Sequence, residues 1–330
     1  MHQEVEQTKR RSDWPVKWTL AALGIARRSY YRWLKEEAWA KQRPAEPVPP
    51  VPPYEALSEE KQAVLAYARK HPELRHRELA WRMVDEDVAY LSPSTVYRIL
   101  KQSNLVCPWR RRAKQKKAQE EKATRPDQRW ATDVMHIPAG ERVYFVMSFL
   151  DEYSRYIVHQ EVLPGMDGLS TSLAAQRAIE TLPKGPDGRP LITPEIRSDN
   201  GSGYISQEFR VVLRENGLTH RRIQPHCPEE NGLMERAHRT LRESLEGEEL
   251  SNYLELERVL ARLRRRYNQE RLHSALGYLP PWEFYRGDPP HRFEERRVKL
   301  FQARHRRRER NLELRQGTLP LEGGEAVSSN

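Results

Sequence analysis

The sequence predicts a multidomain protein: N-terminal all-α helix-turn-helix units, then a mixed α/β core, then a basic C-terminal extension. Three observations predict it. The chain has 330 residues, too many for one small domain and enough for two or three. Up to about residue 106 the apolar residues recur at helical spacing, whereas from Gln128 short apolar runs broken by turn residues take over and then alternate with helical segments. Lysine and arginine outnumber aspartate and glutamate 57 to 47, for a net charge of +10 and a pI of about 9.6. Such a balance implies a polyanionic partner, most simply nucleic acid.

Several classes drop out at once. No run of about 18 apolar residues exists, and the opening Met-His-Gln-Glu-Val-Glu is no signal peptide, so the expectation is a soluble, cytoplasmic, nucleoid-associated protein with no membrane partner. Cys107 and Cys227 are far apart and offer neither a disulfide framework nor a zinc cluster. His71 and His76 have no cysteine partner nearby and read as surface histidines.

Residues 1–43 form the first unit. Trp18, Leu20, Leu23, Ile25, Tyr30, Trp33 and Leu34 are its apolar members, and Ala22-Leu23-Gly24-Ile25 is the turn before a basic second helix. A helix, a Gly-containing turn and a basic helix make a helix-turn-helix signature, with Arg28 and Arg32 as DNA-binding candidates; a helical hairpin with a basic face is the plainer reading. Residues 44–57 are a linker, stiffened by Pro-Ala-Glu-Pro-Val-Pro-Pro-Val-Pro-Pro. Residues 58–108 are a second helical DNA-binding unit. Ser58 is its first cap, Leu79, Trp81 and Met83 lie in its middle helix, and Ser92-Pro93 opens a third helix whose Arg98 and Lys101 suit DNA recognition. A small helical bundle is again the plainer alternative. Residues 109–125 are a basic linker. Arg110, Arg111, Arg112, Lys114, Lys116 and Lys117 put six cations in eight positions, a run that repels itself until it meets phosphate.

The core spans 126–250. Trp130 to Ile137 reads as a strand, Pro138 to Glu141 as a turn, Val143 to Leu150 as a fully buried strand, and Tyr156 to Val162 as a third strand. A helix from Ser170 to Leu182, a strand ending at Asp199, a helix from Gln207 to Glu215 and a short strand near Thr219 to Ile223 follow. A three-stranded meander that then alternates with helices is a mixed sheet. Residues 251–290 add a helix with Leu254, Leu256, Val259, Leu260, Leu263 and Tyr267 on one face, and residues 291–330 are a basic tail with a polar, disordered end; the tail reads equally as helix or part strand.

The core is organised around Ile196 to Arg242. A strand end holds Asp199 rigidly and leaves it facing solvent, and Asn200-Gly201-Ser202-Gly203 supplies the turn. Asn231 is a good N-cap, and Leu233, Ala237, Leu241 and Leu245 make a buried stripe. Glu235 lies about 200° round from Leu233, and Arg239 and Arg242 fall within roughly 40° of Glu235 on the outer face. Alone, that is a solvated helix face with a Glu–Arg pair. Beside it stand two more acids. Asp133 sits inside an otherwise apolar strand, where an aspartate is disfavoured unless something binds it. If the first and fourth strands are neighbours, Asp133 and Asp199 converge. Hard oxygen ligands suit Mg²⁺ or Mn²⁺, and two such ions can activate an attacking oxygen and stabilise a leaving one in phosphoryl transfer. Asp133, Asp199 and Glu235 are therefore the catalytic and metal-ligating candidates. Arg239, Arg242 and Asn200 are their DNA-binding neighbours. Asp151, Glu152, Glu229 and Glu230 rank lower, because turns and loops hold geometry loosely.

These residues carry a resemblance. Trp130-Ala-Thr-Asp133, Ser198-Asp199-Asn200-Gly201-Ser202 and Asn231-Gly232-Leu-Met-Glu235-Arg236 resemble the DDE transposases of bacterial insertion sequences, the OrfB type related to retroviral integrases. The 35 residues between Asp199 and Glu235 and the arginine seven positions past the glutamate, Arg242, match that family, as does Tyr267-Asn268-Gln-Glu-Arg271-Leu-His273-Ser-Ala-Leu276-Gly277 followed by Pro280. The match covers roughly residues 60 to 287. It implies an RNase H-like, integrase-type core. It also implies metal-dependent cutting of DNA 3′ ends and their transfer into target DNA, with transposon ends and target as partners and a homo-oligomer assembled on DNA. No His-His-Cys-Cys zinc module precedes the core, and the helix-turn-helix lies on the same chain instead of an upstream reading frame. Two other readings stand beside this one: a DNA-binding regulator with a dead catalytic core, and an RNase H-like nuclease that cuts without joining.

Overall fold

The computed structural model describes residues 2–42, 52–106, 122–224 and 231–317. Two compact units divide the chain: residues 1–55 with 311–330, and residues 56–310. The basic run at 110–117, most of the Pro-rich linker, both cysteines, Glu229, Glu230 and the polar end of the tail lie outside the described residues.

The first unit holds α1 (His2–Ser12), α2 (Val16–Ala22) and α3 (Arg27–Gln42). Val5, Leu20 and Tyr30 form its small core, and the Tyr30 hydroxyl donates to Glu6 at 2.9 Å. Helix α1 was not foreseen, because its mean hydropathy is low and Val5, the one buried anchor among its described side chains, sets no period. Gly24 adopts φ 66° at the α2–α3 turn, the left-handed geometry that glycine accepts without strain.

The second unit opens with α4 (Ser58–Lys70), α5 (His76–Asp85) and α6 (Pro93–Gln102) around Val64, Leu79, Met83, Val96 and Leu100. Ser58 is the first helical residue of α4 and not its cap. Leu57 takes the cap position, and Glu60 closes the end by accepting from the Leu57 amide at 2.9 Å. At α6 the expected cap forms, with Ser92 Oγ accepting from Thr95 N. His71 and His76 are half-buried and not freely solvated, ring to ring with Tyr67 and Tyr97.

The sheet has the order β3-β2-β1-β4-β5. Strands β1 (Arg129–Ala139), β2 (Arg142–Asp151) and β3 (Ile157–Leu163) are an antiparallel meander, and β4 (Glu195–Ser198) and β5 (His220–Arg222) add in parallel beside β1. This is the mixed sheet the sequence predicts. Pro138 belongs to β1, near its end, and only Gly140-Glu141 turn. The hairpin projects beyond the core: β2 is buried only from Val146 onward, and Val143 is 56% exposed. The apolar run of β2 thus overstates its burial. Gly140 takes φ 59° and donates to Leu250 O, so close that a Cβ would run into the Ser251 carbonyl.

Alternation along the strands gives the sheet two apolar faces. Trp130, Met147 and Phe149 face α7 (Gly168–Glu180), α8 (Ser202–Ile205) and α9 (Gln207–Glu215). Ala131, Met135, Val146 and Leu150 face α10 (Gly232–Leu245) and α11 (Tyr253–Gln269). Asp167, Ser206 and Asn252 cap α7, α9 and α11 through their side chains. The short α12 (Pro281–Tyr285) is tied to the sheet by Asp127, which accepts from Trp130 Nε1 at 3.0 Å, the Tyr285 hydroxyl at 2.9 Å and Arg286 at 2.8 Å.

The basic tail is helix: α13 runs Pro289–Gly317. Two of its cations are buried. Arg296 forks onto Asp85 at 2.8 and 2.6 Å and bonds the Gly277 and Tyr278 carbonyls, and Arg307 meets Glu60 at 2.9 Å. Within the second unit, α13 is therefore bound to the α4–α6 bundle by ion pairs.

Candidate active site

Strands β1 and β4 run parallel with Arg129 beside Glu195, Trp130 beside Ile196 and Ala131 beside Arg197. Carried two residues further, the same offset sets Asp133 level with Asp199, which is the first residue past β4. Both then point to the α10 face, because side chains on one strand alternate and parallel neighbours at one level agree. The condition for the two aspartates to converge, adjacency of the first and fourth strands, holds.

Each is held. Asp133 is half-buried; one carboxylate oxygen accepts from Val134 N at 2.9 Å and the other lies 3.4 Å from His238 Nδ1. Asp199 Oδ1 accepts from Gly201 N at 3.0 Å, the turn that Asn200-Gly201 supports. Its carbonyl accepts from Ser198 Oγ at 2.8 Å, and Ser198 Oγ is also 2.9 Å from His220 Nε2. Beneath both lies Tyr204, fully buried, its hydroxyl 3.1 Å from Thr132 Oγ1. Burial, and then the negative charges of Asp133 and Asp199, hold that phenol well above its ordinary range, while the Thr132 hydrogen bond pulls the other way.

Glu235 lies in the first turn of α10 and is exposed. One helical turn on, His238 is buried against Asp133, so α10 is docked on β1 at that point. Asn231 occupies the N-cap position but makes no side-chain cap bond; its Oδ1 is buried without a hydrogen-bond partner, as is His238 Nε2. The buried stripe of α10 is Met234, Ala237, His238, Thr240 and Leu241, with Leu233 and Leu245 only partly covered. It is rotated from the expected stripe but leaves Glu235, Arg239 and Arg242 exposed as expected.

An open cleft of about 530 Å³ runs beside Arg242, between the end of β1 (His136, Pro138) and the end of α10 (Leu245, Glu246). Of the lower-ranked acids, Asp151 and Glu152 have structural roles. Asp151 is buried and accepts from Asp127 N, Ser154 N and Ser154 Oγ, while Glu152 pairs with Arg197 and Arg129.

Among the described residues, no three His, Cys, Asp or Glu side chains form a group that could hold a metal ion. The structure brings Asp133 and Asp199 to one level of the sheet and leaves the Glu235 carboxylate outside any such group. As donors the three are hard oxygens with no thiolate, a set that fits Mg²⁺ or Mn²⁺.

The DNA-binding candidates are distributed. Arg28 and Arg32 are exposed on α3, and Arg98 and Lys101 on α6. Asn200 is exposed but its amide donates to Ile223 O at 3.2 Å. Arg110, Arg111 and Arg112 lie outside the described residues. Sequence reasoning missed Tyr204 and His238, buried polar-tipped residues that fall on none of the expected apolar stripes.

Two overlapping segments of the chain match the family described as the integrase core domain, residues 123–228 and residues 216–281. Over 220 residues the chain is 26% identical to an uncharacterized 39.2 kDa protein of insertion element IS476 from Xanthomonas euvesicatoria, covering 63% of this chain and 61% of that protein. Over 165 residues it is 27% identical to the transposase for insertion sequence element IS904 of Lactococcus lactis, covering 49% of this chain and 63% of that one. The chain thus spans about three-fifths of the length of these two relatives. Among solved structures it is similar to the HTLV-2 integrase catalytic core domain in complex with magnesium, with 22% identity, 49% of this chain, 97% of that chain and a TM-score of 0.38.

Proposed function

We propose that this chain, an integrase-core protein similar to the transposases of insertion sequences, is the transposase of such an element: it cuts the 3′ ends of the DNA and joins them to new DNA. The observation that carries the reading is the parallel pairing of β1 with β4, whose offset brings Asp133 level with Asp199 on the face where α10 carries Glu235.

In this reading Asp133, Asp199 and Glu235 would hold two Mg²⁺ or Mn²⁺ ions, which would supply Lewis-acid stabilisation of the attacking and leaving oxygens. The chain's own residues do the positioning. The Gly201 amide orients Asp199, His238 orients Asp133, and the Tyr204–Thr132 hydroxyl pair sets the floor between β1 and α8. Arg239 and Arg242, exposed along α10 past Glu235, grip the phosphate backbone of the donor end as it enters the cleft. Helices α3 and α6 present Arg28, Arg32, Arg98 and Lys101 as helix-turn-helix contacts to the element's ends, and the protein works as a homo-oligomer on paired ends. Among the described residues no helix is long and apolar enough to cross a membrane.

The test is Asp199→Asn on DNA carrying the element's own ends with labelled 3′ termini. Cleavage and joining both fall by at least about 10³-fold while end binding persists. A variant that still cuts at the wild-type rate removes Asp199 from the chemistry. Cutting without joining by the wild-type protein makes it a nuclease instead.

A further inference from the structure

The pattern Tyr267-Asn268-x-x-Arg271-x-His273 has no part in the mechanism above. Asn268 is buried, and its side chain accepts from Ile157 N at 2.9 Å and donates to Ile157 O at 3.0 Å. That double bond pins the end of α11 to the start of β3. The β2–β3 turn comes with it, including Arg155 at φ 64°. Tyr267 is buried in the same apolar layer as Met234 and Ala237, the neighbours of Arg236 on α10. The His273 ring meets Tyr267 edge-on, with centroids 5.0 Å apart.

Three arginines from three elements border this corner: Arg155 lies two residues before the pinned Ile157, Arg236 one before Ala237, and Arg271 two before His273. All three act electrostatically on both the Tyr267 phenol and the His273 ring. Burial, helped by these charges, pushes His273 down to about 3, so the imidazole stays neutral. Its Nε2 is buried with no hydrogen-bond partner. Arg155 bonds the Glu152 carbonyl, but the Glu152 carboxylate is already engaged by Arg129 and Arg197. Among the described residues no hydrogen bond or ion pair engages the guanidinium of Arg236 or of Arg271. Glu152 and Asp151 offset the charge of Arg155, but no described carboxylate pairs with Arg236 or Arg271, and an anion with several oxygens relieves the repulsion left among the three.

We propose that Arg155, Arg236 and Arg271, with His273 Nε2, form a subsite for a backbone phosphodiester of DNA, one residue along α10 from Glu235. The proposal rests on the transposase reading. Arg236 is about 100° round the helix from Glu235, so the phosphate held here belongs to a strand passing the active site and is not the one being cut. Planar guanidinium forks supply paired donors to phosphate oxygens, and the His273 tautomer with its proton on Nε2 adds a neutral donor.

The test is the salt dependence of binding by the full-length protein to a fluorescent duplex of arbitrary sequence. Arg236→Gln and Arg271→Gln each lower the affinity several-fold and flatten the log affinity against log salt slope by about 1. R271K keeps the slope, because the charge remains. Thermal midpoints of both glutamine variants stay at or above that of the wild type, since no internal partner is lost and repulsion is relieved. Unchanged slopes in both variants overturn the subsite, and so does a lowered midpoint that tracks the affinity loss, which would mark the arginines as structural. D199N, run in parallel, separates this result from the catalytic reading. It binds with the wild-type slope whatever the subsite does, and only its cleavage reports on the acids.

Discussion

Tyr204 joins the two candidate aspartates through a single phenol. It fills the space under β1 and β4, bonds Thr132, and carries its hydroxyl where both carboxylates act on it. Tyr204→Phe keeps the ring and removes the hydroxyl, leaving Thr132 Oγ1 buried without a partner. The expected cost is about 1–2 kcal/mol of unfolding free energy, read from urea denaturation at neutral pH. At this scale the candidate acids stand out in the sequence and the side chains packed behind them do not. An aspartate inside an apolar strand advertises itself, because nothing in a core favours a lone carboxylate. A buried tyrosine or histidine sends no such signal: Tyr204 directly follows a turn, and His238 sits beside the expected apolar stripe and not on it.

Helices and turns carry the second lesson. Helix α10 was legible from its period, yet its buried face is rotated because His238 and Thr240 take inner positions that a purely apolar template passes over. Past α11, His273 is held in the turn by its backbone bond to Leu279 and by Tyr267, with Arg271, Arg155 and Arg236 around it. Its folded value of about 3 lies below the ordinary 6.5, so between those limits the unfolded chain binds a proton that the folded chain refuses. Stability contributed by the neutral ring is full above about 6.5 and is lost as the pH falls toward 3. Thermal melts from pH 7 down to pH 4 therefore decline more steeply for the wild type than for His273→Asn. Equal slopes would show that the ring is free to charge in the fold.

Over the whole second unit, the arginines of the tail reverse the simplest expectation for a basic segment. Arg296 is buried and forks onto Asp85, and Arg307 pairs with Glu60, so α13 is fastened to the α4–α6 bundle by charges that the sequence shows only as a basic run. Removing one partner leaves a buried guanidinium uncompensated. Asp85→Ala is expected to cost about 3 kcal/mol and to open α13 to limited proteolysis before the core is cut. Protease resistance equal to that of the wild type would show that Asp85 contributes little to the attachment. The meander and the strand ending at Asp199 were legible because turn residues and apolar runs are local signals, whereas the parallel pairing of that strand with β1 entered only as a condition. The helical state of the tail was not, because its partners lie more than 200 residues away in the chain.

The parallel seam between β1 and β4 has an evolutionary corollary. The gap between Asp133 and Asp199 is fixed by the spacing of two hydrogen-bonded backbones, not by the count of residues joining them. The stretch that wanders out through α7 and the Lys184–Pro190 bridge is thus at liberty to lengthen or shrink among relatives. A slip of one step along the seam is another matter: it would turn Asp199 to the α7 side and separate the pair while leaving every residue in place.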